Sequence, residues 1–406
     1  MRRALLVAVL VLSSVAAVAQ LKPRPDAFPP QDAPVASKAV TMASDISQMA
    51  GWDRYPTYET YLAMMQRWAE DYPLLCQVDT IGYSVRGRLI LCMHIEGGTG
   101  SGAAKPQFFY SSTIHGDEVT GYVMMLRLID TLLSGYGSNA QYTDLMDRVS
   151  IYINPLANPD GTYIRGNNTV QGAIRYNANY VDLNRNYPDP FGSGAKAVLQ
   201  PENEAMIDYV EQHDFRLSAN LHGGSEVMNF PWDCFTSLQN PHPQADWWRA
   251  VCQRFVDTSR TVDATHFSDV NAQGYIAGGD WYVIHGGRQD YMNYYQNCLE
   301  LTMEISVDKT LACERLPEYW SLLQHSLVNY ISEILSLPEG QTSIGPTAED
   351  TPVVYVRDRQ LVVPADCASK VQVFDLVGRR VRAGVLSPGV YLVHLGERGT
   401  RKVIVL

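Results

Sequence analysis

The chain has 406 residues, of which 46% are hydrophobic and 18% are charged, and its formal net charge is -11 at pH 7. This composition is typical of a globular protein and excludes an intrinsically disordered chain. The acidic balance argues against a protein that binds nucleic-acid phosphates, and it favours weak attraction of cationic peptides.

The first residues predict an export signal. Two arginines follow the initial methionine, an apolar run extends from Ala4 to Val18, and an Ala-Val-Ala sequence precedes Gln20. Residues 1–19 are therefore predicted to be a signal peptide that is cleaved after Ala19. The run is too short to span a bilayer comfortably, and no other apolar stretch of this length occurs, so we expect no transmembrane span in the mature chain.

The next segment, residues 20–51, is rich in Pro, Ala, Asp and Ser without sustained periodicity, and we expect a flexible leader. The folded domain is predicted to begin near Trp52. Aromatic and apolar residues then recur at helical spacing from Pro56 to Tyr72, and Pro73 ends that helix.

Strands and helices are then predicted to alternate. The apolar runs of strand length are Leu89–Ile95, Phe108–Ile114, Val149–Ile153, Leu217–Leu221 and Leu299–Ile305. The longer helical patterns are Val119–Leu133, Glu202–His213, Trp247–Ser259 and Pro317–Leu335. This order indicates an α/β sheet covered by helices on both faces, in which ligands bind at the carboxyl ends of the strands.

The composition changes after Leu337. Residues 338–350 have the Pro, Gly and Ser content of a linker, and residues 351–406 are predicted to form a small all-β domain, β-sandwich-like. Its expected strands are Val353–Val356, Gln360–Val363, Val371–Leu376, Gly389–Leu395 and Lys402–Leu406.

Three residues suggest a metal site. His115 and Glu118 lie where one predicted strand ends and a helix begins, and His222 ends another strand. Catalytic zinc usually takes three nitrogen or oxygen ligands and leaves a fourth position for water. Each element alone is a weak signal, because HxxE is common by chance and a single histidine at a strand end is usually structural.

Further motifs follow one another in a fixed order along the chain, and together they indicate the role of these three residues. The chain resembles the zinc metallocarboxypeptidases, in particular the branch of carboxypeptidases N, E and D, over residues 52–337. The landmarks that carry the resemblance are His115–Glu118, Asn158–Gly161, Arg175–Asp189, Ser218–Gly224, Trp281–Tyr294 and Asn297–Ser306. The resemblance implies a catalytic domain with a mixed central β-sheet and one zinc ion.

The resemblance also implies roles for the metal-binding region. His115, Glu118 and His222 would hold the zinc ion, and Asp182 would fix the tautomer of His115. Glu304 would serve as general base and acid.

Arg175 would stabilise the tetrahedral oxyanion. Asn184 and Arg185 would bind the terminal carboxylate of the substrate, and Tyr282 would close over it.

Side-chain preference is expected to depend on Asp233 and Gln289, which match the positions that select C-terminal Lys or Arg in this branch. Three residues depart from the family pattern, and one of them, Met292, is an extra residue. Tyr180 replaces a glycine, and Arg288 replaces a methionine beside Gln289. The sequence leaves open whether the Arg288 cation points into the pocket and opposes a basic substrate.

The tail carries a second resemblance. The segments Val371–Val381, Ser387–Val393 and Lys402–Leu406 are similar to the C-terminal sorting domain of type IX secretion substrates. This resemblance implies the type IX secretion machinery as a partner, and a secreted or cell-surface enzyme exported through the periplasm and outer membrane. The alternative is a small accessory β domain that binds another partner.

These patterns predict a metallocarboxypeptidase that acts on peptide or protein C-termini. A zinc deacylase or a murein peptide carboxypeptidase could share the metal ligands and Glu304, although a deacylase has no need for Asn184, Arg185 and Tyr282. An inactive surface binding module is a further alternative, which the intact set of expected ligands and base disfavours.

Overall fold

The computed structural model describes most of residues 40–338 and parts of the tail. It covers residues 40–98, 104–190, 198–338, 355–357, 360–362, 371–375, 379–381, 386–387, 389–394 and 400–405. The chain divides into two compact units, one of residues up to 291 with 298–338, the other of 292–297 with the residues after 338. The predicted signal peptide and nearly all of the predicted linker lie outside the described residues.

The strands before the tail are β1 (Met42–Ala43), β2 (Tyr55–Pro56), β3 (Cys76–Tyr83), β4 (Leu89–Ile95), β5 (Gln107–Ser112), β6 (Ser150–Asn154), β7 (Phe215–His222), β8 (Ser225–Phe230), β9 (Tyr275–Ala277) and β10 (Leu299–Ser306). The α-helices are α1 (Tyr58–Asp71), α2 (Thr120–Gly135), α3 (Ala140–Arg148), α4 (Pro159–Thr162), α5 (Pro201–Glu211), α6 (Ala245–Arg260), α7 (Gly278–Trp281), α8 (Arg288–Tyr295) and α9 (Leu316–Ser332). Short 3-10 helices occupy Ile46–Met49, Leu183–Arg185, Cys313–Arg315 and Glu333–Ser336. Within the described part of the chain, no helix is both long and apolar enough to cross a membrane.

An eight-stranded mixed sheet forms the centre of the first unit, in the order β3-β4-β6-β5-β7-β10-β8-β9. The central strands β6, β5, β7 and β10 run parallel to one another, whereas β6 pairs antiparallel with β4 and β10 pairs antiparallel with β8. Tyr110 of β5 packs against Tyr330 of α9, while Phe109, on the opposite face, packs against Tyr209 of α5. The predicted α/β fold with helices on both faces is therefore confirmed.

The folded region begins earlier than the sequence predicts. Strand β1 pairs in parallel with β2, and a 3-10 helix follows it. Ala43 is fully buried and Met49 is 2% exposed, both within the main hydrophobic core. The predicted flexible leader is therefore wrong for residues 42–49, because a few apolar side chains in this polar segment are sufficient to anchor it.

Strands β7 and β10 alternate apolar and polar side chains, although both of their faces are buried. One face carries Ser218, Asn220 and His222 on β7 and Glu300, Thr302 and Glu304 on β10. The parallel register pairs these residues in three layers, Ser218 with Glu300, Asn220 with Thr302, and His222 with Glu304. Since buried polar groups need partners, this polar face must be satisfied from within the protein.

An ion pair satisfies the polar groups in the layer of Ser218 and Glu300. The buried Glu300 carboxylate accepts hydrogen bonds from Arg288 Nε at 3.1 Å and Nη2 at 3.1 Å, and from Ser218 Oγ at 2.7 Å. The Arg288 guanidinium also lies 4.9 Å from the centre of the Phe109 ring. Burial raises the pKa of Glu300, whereas the adjacent Arg288 charge opposes that rise.

We expect Glu300→Leu to lower the free energy of unfolding by about 3–5 kcal/mol, because the substitution leaves the Arg288 charge buried and unpaired. The double variant Arg288→Met with Glu300→Leu removes both charges and should recover most of this loss. Chemical denaturation of the single and double variants measures the difference. Additive losses in the double variant would contradict a coupled ion pair.

The tail forms a separate antiparallel β unit. Its strands are β11 (Tyr355–Arg357), β12 (Gln360–Val362), β13 (Gln372–Asp375), β14 (Arg380–Val381), β15 (Gly389–His394) and β16 (Thr400–Val405). β11 pairs with β12, and the other strands form a sheet in the order β14-β13-β15-β16. The prediction of a small C-terminal β unit is confirmed, and its sandwich-like arrangement stays a prediction.

Candidate metal centre and substrate site

Three side chains converge at the carboxyl ends of β5 and β7. His222 Nδ1 lies 2.8 Å from Glu118 Oε2 and 3.0 Å from His115 Nδ1, and His115 Nδ1 lies 3.0 Å from Glu118 Oε2. All three residues are buried. We call His115, Glu118 and His222 the metal centre.

The donor set of the metal centre fits zinc. Its ligand atoms lie within 4.8 Å of one another, and two imidazole nitrogens with one carboxylate oxygen are a donor set typical of catalytic zinc. Burial raises the pKa of Glu118, but the charges of His115 and Lys309 outweigh burial and hold that pKa well below its usual value. The carboxylate is therefore ionised and suited to a cation.

The Asn158–Gly161 turn fixes the loop that carries His115. Asn158 Nδ2 donates to the carbonyls of Ile114 at 3.1 Å and Arg175 at 3.3 Å, and Gly116 N donates to the same Arg175 carbonyl at 3.1 Å. A Cβ atom at Gly116 would lie 2.4 Å from the Gly161 carbonyl carbon. Only glycine therefore fits at this contact between the two motifs.

Asp182 joins several candidate site residues. Its Oδ1 accepts from His115 Nε2 at 3.1 Å and from Asn184 N at 2.9 Å, while its Oδ2 accepts from Arg175 Nε at 3.0 Å. Burial raises the pKa of Asp182, but the charges of His115 and Arg175 prevail and hold it well below its usual value. The structure thus brings Asp182 against the imidazole that the sequence assigns to it.

Arg175 and Glu304 lie beside the metal centre. Arg175 Nη1 is 3.5 Å from Glu118 Oε1 and 3.1 Å from His115 Nδ1. Glu304, 1% exposed, is the register partner of His222 across β7 and β10, and it shares the polar face of the sheet. The sheet therefore places a buried carboxylate next to the metal ligands.

Asn184 and Arg185 follow Asp182 in a single 3-10 turn. Asn184 Oδ1 accepts from Arg288 N at 2.9 Å, an arrangement that leaves its NH2 group as the donor for other ligands. Arg185 is half-buried, and its Nη1 donates to the Asn184 carbonyl at 2.7 Å. We call Asn184 and Arg185 the carboxylate clamp. Tyr282 is half-buried and packs on Trp281, with 4.9 Å between the ring centres.

Asp233 and Gln289, which we call the specificity pair, are in direct contact. Asp233 is 3% exposed, and its Oδ1 accepts from Gln289 Nε2 at 3.0 Å and from Asn229 Nδ2 at 3.2 Å. A Cβ atom at Gly287 would lie 3.5 Å from Asp233 Oδ2 and 3.7 Å from Asn184 Oδ1. Asp233 of the specificity pair and Asn184 of the carboxylate clamp therefore both lie close to Gly287.

The direction of Arg288, which the sequence left open, follows from its contacts. Its guanidinium is hydrogen-bonded to Glu300. Glu300 lies one layer of the sheet from Asn220 and Thr302, on the side away from His222. The Asp233 carboxylate is instead contacted by the Gln289 amide. The cation beside Gln289 is thus held by its own buried counter-ion.

Some residues that contact the site belong to no sequence motif, so they could not be identified from the sequence. Asn229 holds Asp233 from β8, a strand that the sequence did not predict. Lys309 lies 3.1 Å from Asp117 Oδ2 and 3.5 Å from Glu118 Oε1, after the end of β10. Their positions depend on pairing between distant parts of the chain, so local patterns give no signal for them.

Comparison with known proteins agrees with this geometry. The family model described as zinc carboxypeptidase matches residues 61–326. Mouse carboxypeptidase M is 32% identical over 327 residues, which are 77% of this chain and 73% of that protein. Carboxypeptidase D of Anas platyrhynchos is 30% identical over 322 residues, and the chain spans only 23% of that longer relative.

Solved structures show the same fold. Thrombin activatable fibrinolysis inhibitor aligns with a TM-score of 0.63 at 16% identity, covering 71% of this chain and 76% of its own. Carboxypeptidase A from Helicoverpa armigera aligns with a TM-score of 0.58 at 21% identity, covering 70% and 74%. The family model matches residues 61–326, and mouse carboxypeptidase M aligns over most of both chains. This chain therefore belongs to the zinc carboxypeptidase family.

Proposed function

We propose that this chain is a metallocarboxypeptidase that removes C-terminal Lys or Arg from peptides and proteins, using one zinc ion. The observation that carries the proposal is spatial. The metal centre and Glu304 lie at the carboxyl ends of β5, β7 and β10, Asp182 joins the metal centre to the carboxylate clamp, and the specificity pair contacts Asn229 of β8.

The residues around the metal centre suit hydrolysis by water. A zinc ion held there would act as a Lewis acid and lower the pKa of water. Glu304 would accept a proton from the attacking water and deliver it to the leaving amine. Arg175, beside Glu118, would stabilise the developing oxyanion, a contribution of about 3 kcal/mol for one well-placed donor.

The carboxylate clamp supports exopeptidase action. The planar guanidinium of Arg185 can bind a carboxylate through two hydrogen bonds, and the Asn184 NH2 group adds a further donor. An enzyme that cleaves within a chain gains nothing from such a group, because its substrates carry no carboxylate at that position. Tyr282 is proposed to close over the bound terminus.

The specificity pair supports a preference for basic side chains. An ion pair at about 4 Å is worth about 4 kcal/mol at an effective dielectric constant of 20, before desolvation is subtracted. Asp233 is buried beside Gly287, close to the carboxylate clamp, as a pocket for the terminal side chain requires. Arg288 does not oppose this selection, because Glu300 holds its guanidinium.

We predict that Glu304→Gln lowers kcat by about 10²–10⁴-fold and leaves zinc content unchanged, because the amide cannot accept the proton of the attacking water. Hydrolysis of a blocked dipeptide ending in Arg, together with metal analysis, measures both effects. Glu226→Gln is the matched control, since Glu226 is the register partner of Ile305 on the opposite sheet face. Normal turnover by the Glu304 variant would remove the base assignment.

Asp233→Asn should lower kcat/KM for substrates ending in Arg or Lys by about 10²-fold, with little effect on those ending in Phe or Ala, because it removes the charge and retains the shape. The control is Asp189→Asn, which removes a nearby carboxylate that pairs with the exposed His285. An equal loss for every substrate would assign Asp233 a structural role.

If no dipeptide is cleaved by the unmodified enzyme, a peptidoglycan digest tests the murein alternative.

The sequence of both ends supports export to the cell surface or medium, with the C-terminal β unit as a type IX sorting domain. We expect the mature protein from its own host to begin at Gln20 and to lack the residues after about position 351, since both signals are normally removed. Mass spectrometry of the secreted and membrane fractions measures both termini. An intact chain confined to the cell interior would contradict the export proposal.

A further inference from the structure

Asn220 lies directly behind a metal-binding imidazole. It precedes His222 by two residues on β7, so both side chains project from the same face, about 6.6 Å apart along the strand. Asn220 is 1% exposed, and its side-chain Nδ2 lies 2.9 Å from His222 Nε2. Across the sheet it is level with Ser111 of β5 and Thr302 of β10.

The chemistry of His222 fixes which of its nitrogens carries hydrogen. Its Nδ1 faces Glu118 Oε2 at 2.8 Å and His115 Nδ1 at 3.0 Å, at the centre of the ligand set. A nitrogen that binds a metal must offer its lone pair, and a neutral imidazole then carries its single hydrogen on the other nitrogen. His222 Nε2 is therefore a hydrogen-bond donor and needs an acceptor behind the ring.

The Asn220 amide supplies that acceptor after half a turn about its Cβ–Cγ bond. In the structure its NH2 group faces Nε2, which sets two donors against each other. Its Oδ1 is buried, and no group in the described part of the chain hydrogen-bonds to it. The half turn exchanges oxygen and nitrogen with almost no change in shape. It pairs Nε2–H with Oδ1.

We propose that Asn220 is a positioning residue that accepts a hydrogen bond from His222 Nε2–H and so fixes the tautomer and ring orientation that bind zinc. The inference rests on the proposed role of His222 as a zinc ligand. His115 has the corresponding arrangement, with Asp182 behind its Nε2 at 3.1 Å. A neutral amide performs this task for His222 without adding another buried negative charge near Glu304.

The test compares two substitutions at Asn220 with a control from the same row of the sheet. Asn220→Leu keeps the size and removes the acceptor, so we expect the zinc Kd to rise by about 10–100-fold. Asn220→Asp keeps an acceptor, and its Kd should stay within about threefold of the unmodified chain. Ser111→Ala removes a buried hydroxyl that contacts Asn154 and no metal ligand, and its Kd should not change.

Zinc affinity is measured on the full chain by competition with a chelator of known affinity, alongside the thermal unfolding midpoint. The visible spectrum of the cobalt-substituted Leu variant should also shift, because the geometry of one ligand changes. If the Leu variant unfolds at a lower temperature but keeps its zinc Kd and cobalt spectrum, Asn220 is merely structural and the inference fails. Equal weakening by Leu and Asp would likewise refute the acceptor role.

A measurement on the unmodified chain remains decisive even if the Leu variant does not fold. In the zinc-loaded protein with ¹⁵N-labelled histidine, NMR should show His222 protonated at Nε2, with slow exchange of that proton. An unprotonated Nε2 would overturn the proposal. Failure of the unmodified chain to bind zinc would instead refute the proposed function, so the two failures are distinguishable.

Discussion

The site depends above all on the hydrogen bonds accepted by the Asp182 carboxylate. They hold three separate groups, the His115 imidazole, the Asn184 backbone and the Arg175 guanidinium. One oxygen accepts from the His115 imidazole and from the backbone that begins the carboxylate clamp, and the other accepts from Arg175. A shift of this carboxylate would therefore move His115 of the metal centre, Arg175 and the carboxylate clamp together. Since displacements of about 1 Å can cost about 10²-fold in rate, such a shared anchor provides the required precision.

The polar face of β7 and β10 is a second constraint, imposed by burial. Parallel strands bring His222 and Glu304 to the same level, and the same alternation necessarily buries polar residues in the layers beneath them. The layer of Ser218 and Glu300 is satisfied by the ion pair of Arg288 and Glu300, since buried charges are tolerated when they are paired. In the middle layer, Asn220 is the residue that connects this buried face to the metal centre.

Much of the fold and the metal centre follows from the sequence, because buried central strands are marked by local patterns. The segment 89–95 is a strand with the predicted bounds, and the ordered motifs identify the metal ligands. β3 escaped prediction because it is a half-exposed edge strand with an irregular register near Gly82. The direction of Arg288 and the roles of Asn229 and Lys309 depend on contacts between separate elements, which single-sequence patterns do not encode.

The row containing Asn220, Thr302 and Asn229 also separates the metal centre from the proposed specificity pair. The three residues are register partners across β7, β10 and β8, yet Asn220 contacts the metal ligand His222 whereas Asn229 contacts Asp233. Under the proposed function, changes at one end of the row would thus alter metal binding, and changes at the other end would alter the proposed pocket for the terminal side chain. On the side of this row away from His222, Glu300 neutralises Arg288, which under the proposed function leaves the buried Asp233 carboxylate to select a basic substrate.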